Sequence, residues 1–246
     1  MSLPKDLHDH VLNRIVDSLG MKEELGADGG PFLPLESHVP IAEGSVGHMR
    51  KFTGGPLFQV VTSSIVVPAI HLDSHMIFAF TPSDSPVPHY TVDSVKAGEH
   101  HAFHLDLIPR VDIGSRLNYL NEVYQPLTDA CMAARETEGL TMAHLSPRQY
   151  AIMSPWMLAN RATAEAFTEI RKTVDIYLDH WFELLEKGIS AGALEDVTAA
   201  ELIARDKRNK EAIFNKDVDP VWQQIEPLVG SEAANKQIAT LREVSA

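Results

Sequence analysis

Between Leu57 and Leu107 the chain alternates extended stretches with short breaks built on proline and glycine, and no break is long enough to hold a crossover helix. The stretches are Leu57 to Val67, His75 to Phe80 and His89 to Leu107, the last divided into two strands near Gly98. Pro68, Pro82, Pro86 and Pro88 punctuate them. Strands joined this closely favour antiparallel neighbours, so this half of the chain predicts an antiparallel meander.

After Pro109 the period changes. Leu117, Leu120, Val123, Tyr124 and Leu127 recur at helical spacing, and Pro147 and Pro155 interrupt the chain beyond them. The longest helical run is Ala162 to Lys187, with Phe167, Ile170, Val174, Tyr177, Leu178, Trp181, Leu184 and Leu185 on a broad apolar face, and Gly188 ends it. Shorter helices are expected from Thr198 and from Asp219, where Asp219-Pro220 supplies a cap and a first-turn proline. At the N-terminus, Leu7, Val11, Ile15 and Leu19 mark an amphipathic helix stopped by Gly20, and Gly26 to Gly55 reads as a long irregular connection. The expectation is one α/β domain over residues 1–246: N-terminal helix and loop 1–56, sheet 57–110, mainly helical 111–246.

A net charge of −13 disfavours nucleic acid and anionic membranes as main partners. No apolar stretch approaches the length of a membrane span, and Met1 to Val16 lacks the pattern of a secretory signal. Cys131 is the single cysteine; it reads as a small residue packed in a helix and suits a reducing compartment. The localisation expected is cytoplasmic.

His71, Asp73 and His75 alternate on one strand, and His100, His101 and His104 lie on a later one. This is raw material for a metal site, although twelve histidines make chance clustering common. Asp93 sits inside the extended segment Tyr90 to Val95: facing a dry pocket it is a usable proton donor, facing water it is a solvated strand residue. Asp106 is expected to pair with Arg110 or to cap its strand. The run Arg205-Asp206-Lys207-Arg208-Asn209-Lys210 is a local basic cluster, read as an acid-binding surface or a solvated helix face. No phosphate-binding glycine loop or nucleophile elbow is present.

The segments Phe103 to Asp112 and Asn118 to Tyr124, succeeded in order by Leu145-Ser146-Pro147, Ser154-Pro155, a helix around Trp181, Arg205-Asp206-Lys207 and Val229-Gly230, resemble red chlorophyll catabolite reductase over roughly residues 57 to 243. That family stands with the ferredoxin-dependent bilin reductases. The resemblance implies a three-layer α/β/α sandwich whose central antiparallel sheet, flanked by helices, holds an open-chain tetrapyrrole. It implies no bound flavin, nicotinamide or metal, with external ferredoxin delivering single electrons and protein acids supplying protons; it also allows a homodimer. By place in the family's order, Asp93 is similar to the sheet carboxylate, His75 to a histidine that some bilin reductases carry on the preceding strand, and Asp219 to a carboxylate near the C-terminal helix. Asp219 also reads as a plain helix cap. Arg110, Arg161 and Arg205 are the candidates for holding propionates or docking ferredoxin. The rival readings are a tetrapyrrole carrier that does not reduce its cargo and a histidine-ligated metalloenzyme.

Overall fold

The computed structural model describes residues 2–245. Helix α1 (Leu3–Leu19) starts where the Ser2 hydroxyl accepts the Lys5 amide at 3.3 Å, and it closes at Gly20. Next come β1 (Lys22–Glu24), β2 (Leu33–Ser37), β3 (Gly44–Thr53), β4 (Gln59–Val67), β5 (Leu72–Phe80), β6 (His89–Ala97) and β7 (His100–Ile108). The second half holds α2 (Leu117–Val123), α3 (Thr128–Arg135), β8 (Leu140–Met142), α4 (Pro147–Ile152), β9 (Leu158–Ala162), α5 (Ala164–Glu169), α6 (Arg171–Lys187), α7 (Ala199–Ile213) and α8 (Val221–Leu241), the last broken at Gly230. The nine strands form one antiparallel sheet in the order β1-β3-β4-β5-β6-β7-β9-β8, with β2 added on β3.

The meander of β4 to β7 matches the sequence reading, and Gly98, at φ 63°, supplies the left-handed residue of the tight β6–β7 turn. Two expectations about secondary structure need correction. Residues 26–55 are not irregular: they carry β2 and β3, paired to each other and to β4. The signal is hidden because a bulge opposite Leu35 and Glu36 breaks the two-residue period, placing Val46 and Met49 in the same core although they are three apart. Gly47 lies in this bulge, where a Cβ would stand 1.8 Å from the Ser64 carbonyl oxygen. Secondly, Ala162 to Lys187 is not one helix. Ala162 ends β9, the Thr163 hydroxyl caps α5 by accepting the Ala166 amide at 3.2 Å, and α6 begins beyond Ile170. The short strand Leu158–Ala162 has no β-branched residue, so only its pairing with β7 and β8 reveals it.

Alternating strand residues feed two buried cores. One joins Val60, Ile77, Tyr90, Val92, Phe103 and Leu105 to α1, α2, α3, α5 and α6, with Trp181 fully buried and its indole donating to the Pro88 carbonyl at 2.8 Å. The other joins Val61, Ile65, Phe78, Phe80 and Ile108 to Leu35, Met49 and the α7–α8 segment. Cys131 packs inside the first core, on α3. Among the described residues no helix is long and apolar enough to cross a membrane.

Helix α7 is held to the sheet by Asp206, which has no exposed surface. It accepts from the Arg110 guanidinium, from His89 Nε2 at 2.7 Å and from the Ser83 hydroxyl at 2.8 Å, and Lys210 Nζ lies 3.1 Å away. The Thr81 amide donates to His89 Nδ1 at 3.0 Å, which leaves Nε2 as the nitrogen bearing the proton. Burial, reinforced by the Arg110 charge, pushes His89 down to about 3 and keeps the ring neutral. Burial alone would raise the Asp206 carboxyl, but His89, Arg110 and Lys210 outweigh it and hold the group far below the usual carboxylate range. Of the two readings of Asp106, the pair with Arg110 does not form. Arg110 turns to Asp206, while Asp106 accepts the amide (2.9 Å) and hydroxyl (2.5 Å) of Ser154.

Removing one member of a buried ion pair strands the other, at a cost of about 3–5 kcal/mol. Urea unfolding of Asp206→Asn should therefore show a loss of about that size, because Arg110 and Lys210 stay buried without their anion. A midpoint shift below about 1 kcal/mol would mean that solvent reaches the cluster.

Candidate functional site

In the β5–β6–β7 register, Met76, Asp93 and His104 stand in one row across the sheet. All three line a cleft with about 910 Å³ of atom-free space out to its mouth. Ser74, Phe78 and Val95 extend its floor, Ile152 and Met153 from the end of α4 form one wall, and Ile213, Phe214, Val218, Asp219 and Trp222 close it from the α7–α8 side. Most of the lining is apolar, and the ionisable groups are Asp93, His104 and Asp219. Few polar groups in a mostly apolar concavity is the composition of a small-molecule site.

Asp93 and Asp219 thus approach one space from opposite sides, the first from a strand and the second from the turn into α8. That turn is built locally: the Asn215 carbonyl accepts the amides of Val218 and Asp219, both at 2.9 Å. Asp219 Oδ1 in turn accepts the amide of Val221 at 3.1 Å, a bond within the turn that precedes α8, whose N-cap position falls on Pro220 and not on the expected Asp219; the residue also faces the cleft.

His104 Nδ1 lies 3.5 Å from Asp93 Oδ2. Asp93 Oδ1 and His104 Nε2 are buried with no hydrogen-bond partner in the protein. An unsatisfied acceptor and an unsatisfied ring nitrogen on paired cleft residues carry a desolvation cost that the rest of the fold must offset. Burial alone would lower the imidazole, but the carboxylates of Asp93, Asp106 and Asp219 outweigh this and raise its pKa above the ordinary histidine value. Burial also pushes the Asp219 carboxyl up, and the negative charge of Asp93 adds to the rise against the Val221 hydrogen bond. Both shifts favour keeping protons, so the site is suited to hold acidic protons beside a ligand that becomes basic.

His75 is not part of this arrangement. One residue out of phase with Met76, it points through the other face of the sheet, where Nε2 meets Asp73 Oδ1 at 2.7 Å, Nδ1 meets Ser64 Oγ at 2.9 Å, and the ring packs 5.2 Å from that of His8. Among the described residues no group of three histidine, cysteine or acidic side chains closes into a metal site. His71 has left-handed backbone outside the strand, so the alternating trio does not converge.

The proposed cations also separate. Arg110 is buried on Asp206, with further bonds to the carbonyls of Ser83 and Ser85, and does not line the cleft. Arg205 faces a second depression beside Arg116 and Arg208. Arg161 is exposed on β9, in phase with the cleft-lining Ala159 and two residues beyond it, so it shares the cleft's face of the sheet.

His104 was not singled out with Asp93 from sequence, yet a signal exists. Counting outward from the two-residue turn at Gly98-Glu99, the residue opposite Asp93 is His104. The contributions of Gln149, Met153 and Trp222 carry no such signal, because they depend on how α4 and α8 pack.

No family model matches the chain, and no curated protein matches it in sequence. Among solved structures it is similar to phytochromobilin synthase from tomato in complex with biliverdin, with a TM-score of 0.72 over 95% of this chain and 80% of that one, at 15% identity. The likeness shows a shared fold.

The raised His104 value fixes a sign. Stabilisation carried by its charge is full below the unfolded value near 6.5 and is lost as pH rises through the higher folded value. Following the His104 ring proton by NMR should give a midpoint above 6.5 that falls in Asp93→Asn. An unchanged midpoint in the variant would show that the pair is not electrostatically coupled.

Proposed function

We propose that the chain is a reductase of a linear tetrapyrrole, such as a bilin or red chlorophyll catabolite, using external ferredoxin as electron donor and holding its substrate in the cleft between the sheet and the α7–α8 segment. The single observation that carries this reading is the convergence of Asp93, His104 and Asp219 on one apolar-lined cleft, in a fold shared with a protein solved with biliverdin bound. In this reading the arrangement is a three-layer α/β/α sandwich.

The chemistry balances as two electrons from two reduced ferredoxins and two protons from the protein, forming two new bonds to hydrogen at the expense of one double bond. Each added electron makes the conjugated pigment more basic, and an acid held beside it stabilises the reduced state. Asp93, whose side chain is partly open to the cleft, accepts from pyrrole N–H groups. His104 and Asp219, whose shifts favour the protonated forms, supply protons from the sheet side and the helix side. Arg161, exposed on the same face, holds a propionate. The apolar walls exclude water and favour a flat pigment.

The test is an anaerobic absorption time course with biliverdin, and separately with red chlorophyll catabolite, under a ferredoxin reducing system. The expected result is loss of one pigment's long-wavelength band, slowed about 10²-fold or more in Asp93→Asn and Asp219→Asn, with the His75→Gln rate near that of the parent. Tight binding of pigment without any change of spectrum under reducing conditions would replace the reductase by a carrier.

A further inference from the structure

The 110–116 segment and one face of α7 enclose a second depression, with about 550 Å³ of atom-free space out to its mouth. Arg116 enters from the segment before α2, and Arg205 and Arg208 from adjacent turns of the helix. In a chain of net charge −13 this is an unusual gathering of cations. The carboxylates at its edge are Asp112 and Glu201, and both are engaged locally. Asp112 accepts the Ser115 hydroxyl at 2.7 Å and the Gly114 amide at 3.2 Å, while Glu201 closes the α7 capping box with Thr198 at 2.9 Å.

The arginines have far fewer partners than donors. Among the described residues Arg205 and Arg208 make no hydrogen bond and no ion pair, and Arg116 gives one bond, to the Glu195 carbonyl at 2.5 Å. Arg205 is half-buried and its Nε is buried without a partner. Burial pushes its guanidinium below the ordinary arginine range, with only partial relief from the Asp112 charge. A desolvated guanidinium with empty donors is costly unless an anion completes it.

We propose that this depression binds a phosphate group, free or carried by a small molecule, through Arg205 and Arg208 of α7 and Arg116 of the facing segment. Guanidinium forks match a tetrahedral dianion with paired N–H donors, and the three approach from two chain segments, so that one anion ties the segment to the helix. The site is distinct from the cleft, shares none of its lining residues, and does not depend on the tetrapyrrole reading.

Titration of the full chain with inorganic phosphate at constant ionic strength, monitored by calorimetry and by the thermal midpoint, should show saturable binding and a rise in the midpoint that chloride does not reproduce. Arg205→Gln and Arg208→Gln should each weaken it about tenfold or more, and Lys187→Gln, at an exposed lysine paired with Glu183 outside both sites, should leave it unchanged. Arg208 is exposed, so its variant keeps the test valid if Arg205→Gln folds poorly. Absence of saturable binding, equal binding in Arg208→Gln, or citrate binding more tightly than phosphate would each overturn the proposal.

Discussion

Asp206 is the anchor on which the cleft's geometry depends. It brings one buried negative charge against Arg110, His89 and Lys210, contributed by the start of the post-sheet segment, a strand and its own helix. Lys210, one turn further along α7, is fully buried with its ammonium 4.4 Å over the Phe80 ring, and burial lowers it to about 8 against the pull of Asp206. Seven residues beyond Asp206, about 10 Å along the axis, α7 ends at Ile213. There Phe214 stands edge-on to Phe78, with centroids 5.0 Å apart. The far wall of the cleft is thus aimed by a polar cluster outside it. Partners of such high desolvation cost tolerate few alternative arrangements, which fixes α7 in one register.

The opposite face of the sheet has a different character. Its core is the larger one, stitched by Tyr and Trp side chains that bury rings and donate to backbone carbonyls, as Tyr124 does to Leu107 and Tyr177 to Trp156, both at 2.8 Å. His75 belongs to this side, bonded through both ring nitrogens to Asp73 and Ser64. The same strand therefore serves structure through its odd-numbered residues and the cleft through Ser74, Met76 and Phe78. Within the cleft, Asp219 and His104 are both shifted toward their protonated forms, Asp219 by burial and the Asp93 charge, His104 by the surrounding carboxylates against its burial.

Local patterns in the chain alone determined the meander, the Gly98 turn, the amphipathic N-terminal helix and the helix starts near Thr198 and Asp219, because each depends on residues within a few positions of one another. They were enough to bring Asp93 forward as a carboxylate of interest, and the hairpin register places His104 opposite it. Which face Asp93 takes, its meeting with Asp219 more than a hundred residues later, the separation of His75 from both, and the capture of Arg110 by Asp206 rather than Asp106 were decided only by tertiary structure. Periodicity tells which residues share a face but not which face is covered by which helix, and a charge chooses its partner only once packing has set the distances.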